Sequence, residues 1–342
     1  MRITEFEYSL APQNIAAEPR EVRLGKRDRC RMLVVDRRNQ TLTDSWVQDL
    51  PNFFDQGDVL VVNNSGRIPG VLKGRADNDG QVDMRFAALK SRNLASCRIY
   101  PDYAIEVGGR IRINGREAFR VVTGPYGLNG IYDVEPIDSD IPTLLQTYGT
   151  PIPSFFASTD WPIESYNPYY ATTRESVGSP MAGLHFTPDL MDAMKARGVQ
   201  VVFVTLHVAA SWLPFLAESI EDHQINEERF SLSEEAADTI NRAKSTGRRV
   251  VACGSTVLRT LETAAESPGR VRPTDGVSKL YIRPGFEFKI MDRYFTNFHV
   301  WRSSLMVLDA AVCGFPFVRQ VYAHGSSNGY LFQDFGDAVF YV

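Results

Sequence analysis

Five histidines occur in 342 residues, and four of them sit in short segments of distinctive composition: His185 in AGLHFT, His207 in TLHV, His223 in EDHQ and His299 in TNFH. Imidazole trades a proton near neutral pH without much tuning. His185 and His207, each in or after a tight or strand-like segment, are the first candidates for proton transfer or for orienting a substrate. His299, His223 and Glu228 are the alternative bases. At any single position the competing reading is a structural histidine satisfied in the core. Metal ligation has little support, because HxH, HxxxH and HExxH are absent and the carboxylates around His223 follow no ligand spacing, so no metal is expected.

Gly254-Ser255-Thr256 stands between a strand-like run and a helical one. A helix starting there offers backbone N–H groups, two hydroxyls and its positive end to an anionic or polar ligand group. An ordinary serine N-cap is the plain alternative. Arg259 lies one turn in, on the face shared with Ser255 and Thr256, where its guanidinium could meet the same ligand. Neither GxGxxG nor GxxxxGK[ST] occurs, so dinucleotide and P-loop nucleotide sites lose their main signature. Aromatic residues gather near these motifs, with Tyr166, Tyr169 and Tyr170 before AGLHF, then Phe186, Trp212, Phe286, Phe298 and Trp301. Most belong in a core; some could face a purine or a cationic ligand centre.

The elements that must position these residues read as an α/β protein. Val59–Val62 is a buried strand running into the polar loop Asn63–Gly66. Between about Ile68 and Gln146 the pattern shifts to short strands separated by Gly, Pro and Asn-Gly, with Arg110–Val122 a hairpin turning at Asn114-Gly115. This segment is expected to form a small inserted β-barrel. After the proline-rich join at 149–153, helix and strand alternate: a helix over Asp189–Arg197, a strand over Val199–Val208, a helix capped by Ser231 with Glu234, a strand over Arg248–Cys253, a helix from Gly254 to Glu262, another over Ser303–Val312 and a final strand AVFYV. Alternation of this kind implies a mainly parallel sheet.

Size and composition fit that reading. With 44% hydrophobic and 23% charged residues the chain is an ordinary globular protein, and its length exceeds the 250 to 300 residues at which single cores stop growing, so two domains are expected. They are 1–67 with 150–342, and 68–149. The formal charge of -4 argues against non-specific coating of nucleic acid. Residues 20–38 nevertheless hold eight basic side chains against three acidic ones, a local excess of five that could touch RNA or simply be a solvated turn. Four cysteines without a CxxC pair suit a reducing compartment, and the absence of an apolar leader or membrane-length segment suggests a cytoplasmic location without membrane contact.

The motifs also occur in a familiar order. SP-MAGLHFT (Ser179–Thr187), FVTLHV (Phe203–Val208), IEDH (Ile220–His223), GST-LR-LE (Gly254–Glu262), RPGFEFK-MD (Arg283–Asp292), TNFH (Thr296–His299) and FGDA (Phe335–Ala338) follow FEYSLAPQNIA, CRMLVVD, GDVLVVNNS and RIPG in the amino-terminal half. Together they resemble the S-adenosylmethionine:tRNA ribosyltransferase-isomerase family of queuosine biosynthesis over essentially the whole chain. The resemblance implies an α/β domain formed by both chain ends with a β-barrel inserted. It also implies S-adenosylmethionine as co-substrate and tRNA as acceptor, with ribosyl transfer to a 7-aminomethyl-7-deazaguanine, isomerisation to an epoxycyclopentane, and release of adenine and methionine; on charge alone, the basic segment 20–38 could be one contact for that tRNA. It places His185, His207 and His299 as catalytic residues. Tyr170, Gly183, Phe186, His223, Glu228, Gly254, Ser255, Thr256, Arg259, Asn297 and Phe298 fall at substrate-binding positions.

The sequence departs from the family pattern in several loops. LHVGAGTF becomes Leu206-His-Val-Ala-Ala-Ser-Trp-Leu213, NNTR becomes NNSG with Arg67 displaced by one, MHSE becomes Ile225-Asn-Glu-Glu228, GTTSVR becomes GSTVLR, and TNFHLP becomes TNFHVW. YQT becomes Tyr166-Asn-Pro, and Leu331 replaces the arginine of YRFFSYGD. Added methyls and indoles reshape a close-packed pocket. A relative that uses S-adenosylmethionine on a small-molecule acceptor, or a non-catalytic RNA-binding relative, are therefore the alternative readings.

Overall fold

The computed structural model describes residues 1–102, 105–126, 130–152, 161–210 and 218–342. In chain order its strands and helices are α1 (Arg20–Leu24), β1 (Arg31–Asp36), β2 (Thr41–Trp46), β3 (Val59–Asn63), β4 (Ser65–Arg67), β5 (Val71–Ala76), β6 (Gln81–Ser91), β7 (Leu94–Tyr100), β8 (Arg110–Ile113), β9 (Arg116–Tyr126), β10 (Ile131–Pro136) and α2 (Ile141–Tyr148). They continue as β11 (Thr173–Ser176), α3 (Pro188–Ala196), β12 (Gln200–Leu206), β13 (Glu228–Leu232), α4 (Glu234–Ser245), β14 (Val250–Cys253), α5 (Ser255–Ala264), β15 (Ala265–Ser267), β16 (Arg270–Val271), β17 (Thr274–Ser278), β18 (Arg293–Asn297), α6 (Ser304–Cys313), α7 (Phe315–Ser327) and β19 (Ala338–Tyr341).

Nine strands make one sheet in the order β17-β13-β12-β3-β14-β18-β19-β1-β2. Its centre is parallel, through β12-β3, β3-β14 and β14-β18, and β1 runs parallel to β19. The other pairings are antiparallel, so the expected parallel sheet is the middle of a larger mixed one. Every residue of β3 and β14 is buried, as strands covered on both faces require. Helices α4 to α7 pack on one face and α3 on the other. Pairing of β1 with β19 joins the two ends of the chain.

Strands β10-β7-β6-β5-β8-β9 close a barrel between β4 and β11. Alternation along β6 sends Val82, Met84 and Phe86 inward against Leu72, Ile99 and Phe119. The hairpin turns where expected: Asn114 and Gly115 have φ of 50° and 78°, the left-handed pair that a two-residue turn demands. Barrel and sheet touch directly, through Ala210 N–H donating to the Ala87 carbonyl at 2.6 Å and Arg229 Nε to the Leu89 carbonyl at 3.2 Å. One local expectation is corrected. The cap of α4 is Ser233, whose side chain accepts from Ala236 N–H, while Ser231 pairs within β13 because the strand runs two residues further than the polarity of the segment suggests.

Candidate active site at the carboxyl edge of the sheet

In open α/β sheets, ligands bind outside the carboxyl ends of the parallel strands. Here β12, β3, β14 and β18 end together and lead into His207, Asn64-Ser65, Gly254 and Phe298-His299. Four adjacent ends at about 4.8 Å spacing span roughly 14 Å. Four of the expected segments therefore share one edge, although they lie up to 235 residues apart in sequence.

His207 sits one residue past β12, with Nδ1 3.0 Å from Ser65 Oγ and Nε2 4.0 Å from Glu175 Oε2. Ser65 Oγ lies 2.6 Å from Ser176 Oγ, which accepts the Val208 N–H at 2.9 Å, so hydroxyls from β4 and β11 hold both the ring and its backbone. Burial, aided by the neighbouring Arg229 cation and opposed by Glu175, depresses the His207 pKa to about 4. The ring is neutral at pH 7. Glu175 is itself shared by Arg92 and Arg229, each at 2.6 Å, which clamps the barrel to the sheet beside this histidine.

His185 is fully buried at the end of the turn Met181–His185. Its Nε2 lies 3.1 Å from Arg20 Nη2 and its Nδ1 3.0 Å from Cys30 Sγ. A guanidinium can only donate, so Nε2 accepts; Nδ1 carries the proton toward sulfur, and the thiol can donate onward to the Arg27 carbonyl at 3.4 Å. Burial and then the Arg20 charge hold the imidazole pKa well below its ordinary value. This histidine is thus locked as one neutral tautomer. Asn297, 1% exposed at the end of β18, has neither Oδ1 nor Nδ2 in hydrogen-bonding geometry with any partner among the described residues.

Two residues past Asn297, His299 places Nε2 3.1 Å from Thr296 Oγ1 and 3.9 Å from Asp309 Oδ1, and its buried Nδ1 has no partner among the described residues. Burial lowers its pKa to about 3. Asp309, fully buried in α6, accepts from the Tyr322 and Tyr341 hydroxyls at 2.9 and 3.0 Å, and burial raises its pKa to about 8.

Gly254 has φ of 90°, and a Cβ there would come within 3.3 Å of the Ala182 methyl. A Cβ on Gly183 would meet the Tyr170 hydroxyl at 2.5 Å. These two glycines let the turn Met181–His185, Tyr170 and the start of α5 converge. Among the described residues the buried Tyr170 hydroxyl has no partner and no side chain caps α5, where Ser255 is half-buried and Thr256 buried. Arg259 does not point at that helix start. It donates to Glu228 Oε2, to the Leu280 carbonyl at 3.0 Å and to the Ser278 carbonyl at 3.4 Å. Glu228 Oε1 in turn accepts the Ala209 N–H at 2.8 Å, so the pair anchors the backbone just after His207.

The remaining expected residues are dispersed. Phe186 packs against Phe295, and Phe298 is enclosed by Tyr322, Tyr330 and Phe332 in the aromatic core, so neither ring faces the edge. His223 lies edge-on to Tyr281, near Glu221, the residue that pairs with the chain's amino terminus. Trp301 is 40% exposed against Tyr8, and residues 211–213 of the altered loop, Trp212 included, lie outside the described residues. Of the eight cations in 20–38, only Lys26, Arg29 and Arg38 are exposed, and Lys26 pairs with Asp189 at 2.7 Å. Arg20, Cys30, Ser65, Glu175 and Asp309 were not singled out by sequence reasoning. A lone acid inside the apolar helix SLMVLDAAVC was the one readable signal among them.

No group of three His, Cys, Asp or Glu residues among those described is placed to hold a metal ion, and no single described helix is long and apolar enough to cross a membrane. Among solved structures, the chain is similar to the S-adenosylmethionine tRNA ribosyltransferase of Thermotoga maritima, at 28% identity and a TM-score of 0.56, over 99% of this chain and 100% of that one. The family model described as queuosine biosynthesis protein matches residues 3–341. Motif order, fold and both comparisons agree, and the chain belongs to the queuosine biosynthesis protein family.

Proposed function

We propose that this protein binds S-adenosylmethionine along the carboxyl edge of β12, β3, β14 and β18, and transfers its ribosyl part to the aminomethyl group of a 7-deazaguanine in tRNA. Isomerisation then gives an epoxyqueuosine-type product, with adenine and methionine released. The observation that carries this reading is the set of buried polar atoms on that edge that have no partner among the described residues: Tyr170 Oη, both ends of the Asn297 carboxamide and His299 Nδ1. Burying such groups unpaired costs about 1 to 3 kcal/mol each, and a polyfunctional polar ligand would satisfy them.

The residues suit distinct parts of the ligand. The uncapped start of α5 at Gly254-Ser255-Thr256 suits a carboxylate such as that of the methionyl group. Asn297 offers a donor and an acceptor to a base edge or ribose hydroxyl. A sulfonium makes the neighbouring ribose 5′ hydrogens acidic, and the substrate amine must reach the site unprotonated. His207, neutral at pH 7 and only partly enclosed, accepts a proton in this scheme; general base help of this type is worth about 10² to 10⁴-fold. His185, with both ring nitrogens engaged by Arg20 and Cys30, orients the Asn297 end of the edge. Arg259 and Glu228 act through the backbone after His207.

A second reading, S-adenosylmethionine used on a different acceptor, draws support from Ala209, which is buried where the family pattern has glycine. Isothermal titration of the protein with S-adenosylmethionine tests the part both readings share. Saturable binding is expected, weakened at least about tenfold by Asn297→Ala, equivalent to 1.4 kcal/mol. No binding at about 1 mM ligand, where affinity would be worth only about 4 kcal/mol, overturns both.

A further inference from the structure

The barrel carries outward-facing arginines in a pattern that its own stability does not require. Three pairs stand directly opposite one another on neighbouring strands: Arg85 with Arg98, Arg75 with Arg112, and Arg110 with Arg120. Like charges in that relation are destabilising. Two of the pairs are offset locally. Arg112 meets the Asp79 carboxylate at 2.6 Å while Arg75 bonds the Asp79 carbonyl at 2.8 Å, and Arg110 and Arg120 pair with Glu117 and Glu135. Arg85 and Arg98 have no carboxylate within 4.0 Å among the described residues. Both guanidiniums instead lie over the ring of Tyr100, at 5.1 and 4.6 Å from its centroid.

With Tyr100 beside them and no carboxylate paired to them, both guanidiniums keep N–H donors for an outside acceptor, and arginine takes phosphate bidentately. The next row of the same face holds Lys73 opposite Asp83, which is opposite Tyr100, so three cations face a single carboxylate. Lys73 also rims a concavity of about 450 Å³ with Asn114 and Tyr148. The strand that carries Arg85 also meets the segment that follows His207. Two residues beyond Arg85 on β6, the Ala87 carbonyl holds Ala210 N–H, three residues after His207.

We infer that this barrel face, built on Arg85, Arg98, Tyr100 and Lys73, holds the phosphodiester backbone of the RNA substrate while its modified base reaches the carboxyl edge of the sheet. The inference rests on the reading of tRNA as acceptor. It assigns RNA contact to the barrel and not to residues 20–38, most of whose cations are engaged within the protein.

Binding of tRNA bearing 7-aminomethyl-7-deazaguanine, measured by filter retention across a salt series, tests it with three proteins: the parent, Arg85→Gln/Arg98→Gln and Arg110→Gln/Arg120→Gln. The first double variant should bind at least tenfold more weakly at 0.1 M salt and lower the slope of log K against log[salt] by about 1.5, at roughly 0.7 to 0.9 per lost phosphate contact. Its affinity for S-adenosylmethionine should not change, and its melting temperature should not fall, since a repulsive pair has been removed. The second double variant should stay within twofold of the parent. Equal affinity and slope in the parent and the Arg85→Gln/Arg98→Gln protein would overturn the assignment while leaving tRNA binding in place. If the parent itself does not bind the tRNA, the assignment falls together with the tRNA reading of the function, but S-adenosylmethionine binding stands or falls separately. A change in sedimentation with unaltered tRNA affinity would give the face to a second copy of the chain and also overturn it.

Discussion

Replacing Arg259 with methionine should destabilise this protein more than it weakens any direct ligand contact. The guanidinium and its partner are 12% and 8% exposed, so the Arg259–Glu228 pair is buried. Methionine keeps the length of the stem and removes the donors to Glu228 Oε2, the Leu280 carbonyl and the Ser278 carbonyl. Among the described residues, Glu228 is then a buried carboxylate held only by the Ala209 N–H. Removing one partner of a buried pair costs about 3 to 5 kcal/mol. At about 2 to 4 °C per kcal/mol, the figure for domains of 150 to 250 residues, the melting temperature should drop by roughly 6 to 20 °C. Turnover should fall with it, because the freed Ala209 backbone follows His207. Adding Glu228→Gln to Arg259→Met removes the stranded charge and keeps an acceptor for Ala209, so the double variant should regain most of the lost stability. Differential scanning calorimetry on the parent, the single and the double variants decides the matter. If the single variant melts within about 2 °C of the parent, or the double is no more stable than the single, the buried-pair argument is refuted. Normal stability with lost S-adenosylmethionine affinity would instead make Arg259 a ligand contact.

Gly254→Ala should cost about 1 to 3 kcal/mol in chemical denaturation, because φ of 90° is strained for any residue with a Cβ, and should also weaken S-adenosylmethionine binding by displacing the start of α5; unchanged unfolding midpoints would contradict the backbone argument. His299 has a folded pKa of about 3 against an unfolded value near 6.5, so unfolding takes up a proton and stability falls as pH drops from 6.5 toward 3. His299→Gln should remove up to one proton from that dependence, read as a flatter plot of urea unfolding free energy against pH between 6.5 and 4. Asp309 acts in the opposite sense, losing stability as pH rises from about 4 through 8, which is why the test compares the variant with the parent; identical slopes would show that His299 is not buried as described.

What the sequence disclosed followed the range of the interactions concerned. The Asn114-Gly115 turn was legible because two adjacent residues must both take positive φ, and α3 because Leu190, Met191 and Met194 repeat on one face within a single helix. The inward and outward alternation of the barrel strands is likewise local. By contrast, Arg20 reaches His185 across 165 residues and Cys30 reaches the same ring across 155, and no periodicity relates such positions. The shared face of Ser255, Thr256 and Arg259 was a sound local inference, but Glu228 stands 31 residues away and takes the guanidinium for itself. A basic run read from 20–38 suggests an exposed patch; folding turns Arg20 fully inward and engages Arg23, Arg27 and Arg31 with carbonyls or carboxylates. Phe298 shows the same limit, since a motif position cannot say which way its ring will face.

The ribosyl transfer to tRNA proposed for the carboxyl edge of the sheet is tested most directly by mass spectrometry of both products after incubation with S-adenosylmethionine and tRNA carrying 7-aminomethyl-7-deazaguanine. Adenine and methionine should appear in equal amounts, in step with a ribosyl-derived mass gain on the deazaguanine, and both should be lost in Asn297→Ala. Release of adenine without any gain of mass on the tRNA, or no release of adenine although S-adenosylmethionine binds, would contradict it.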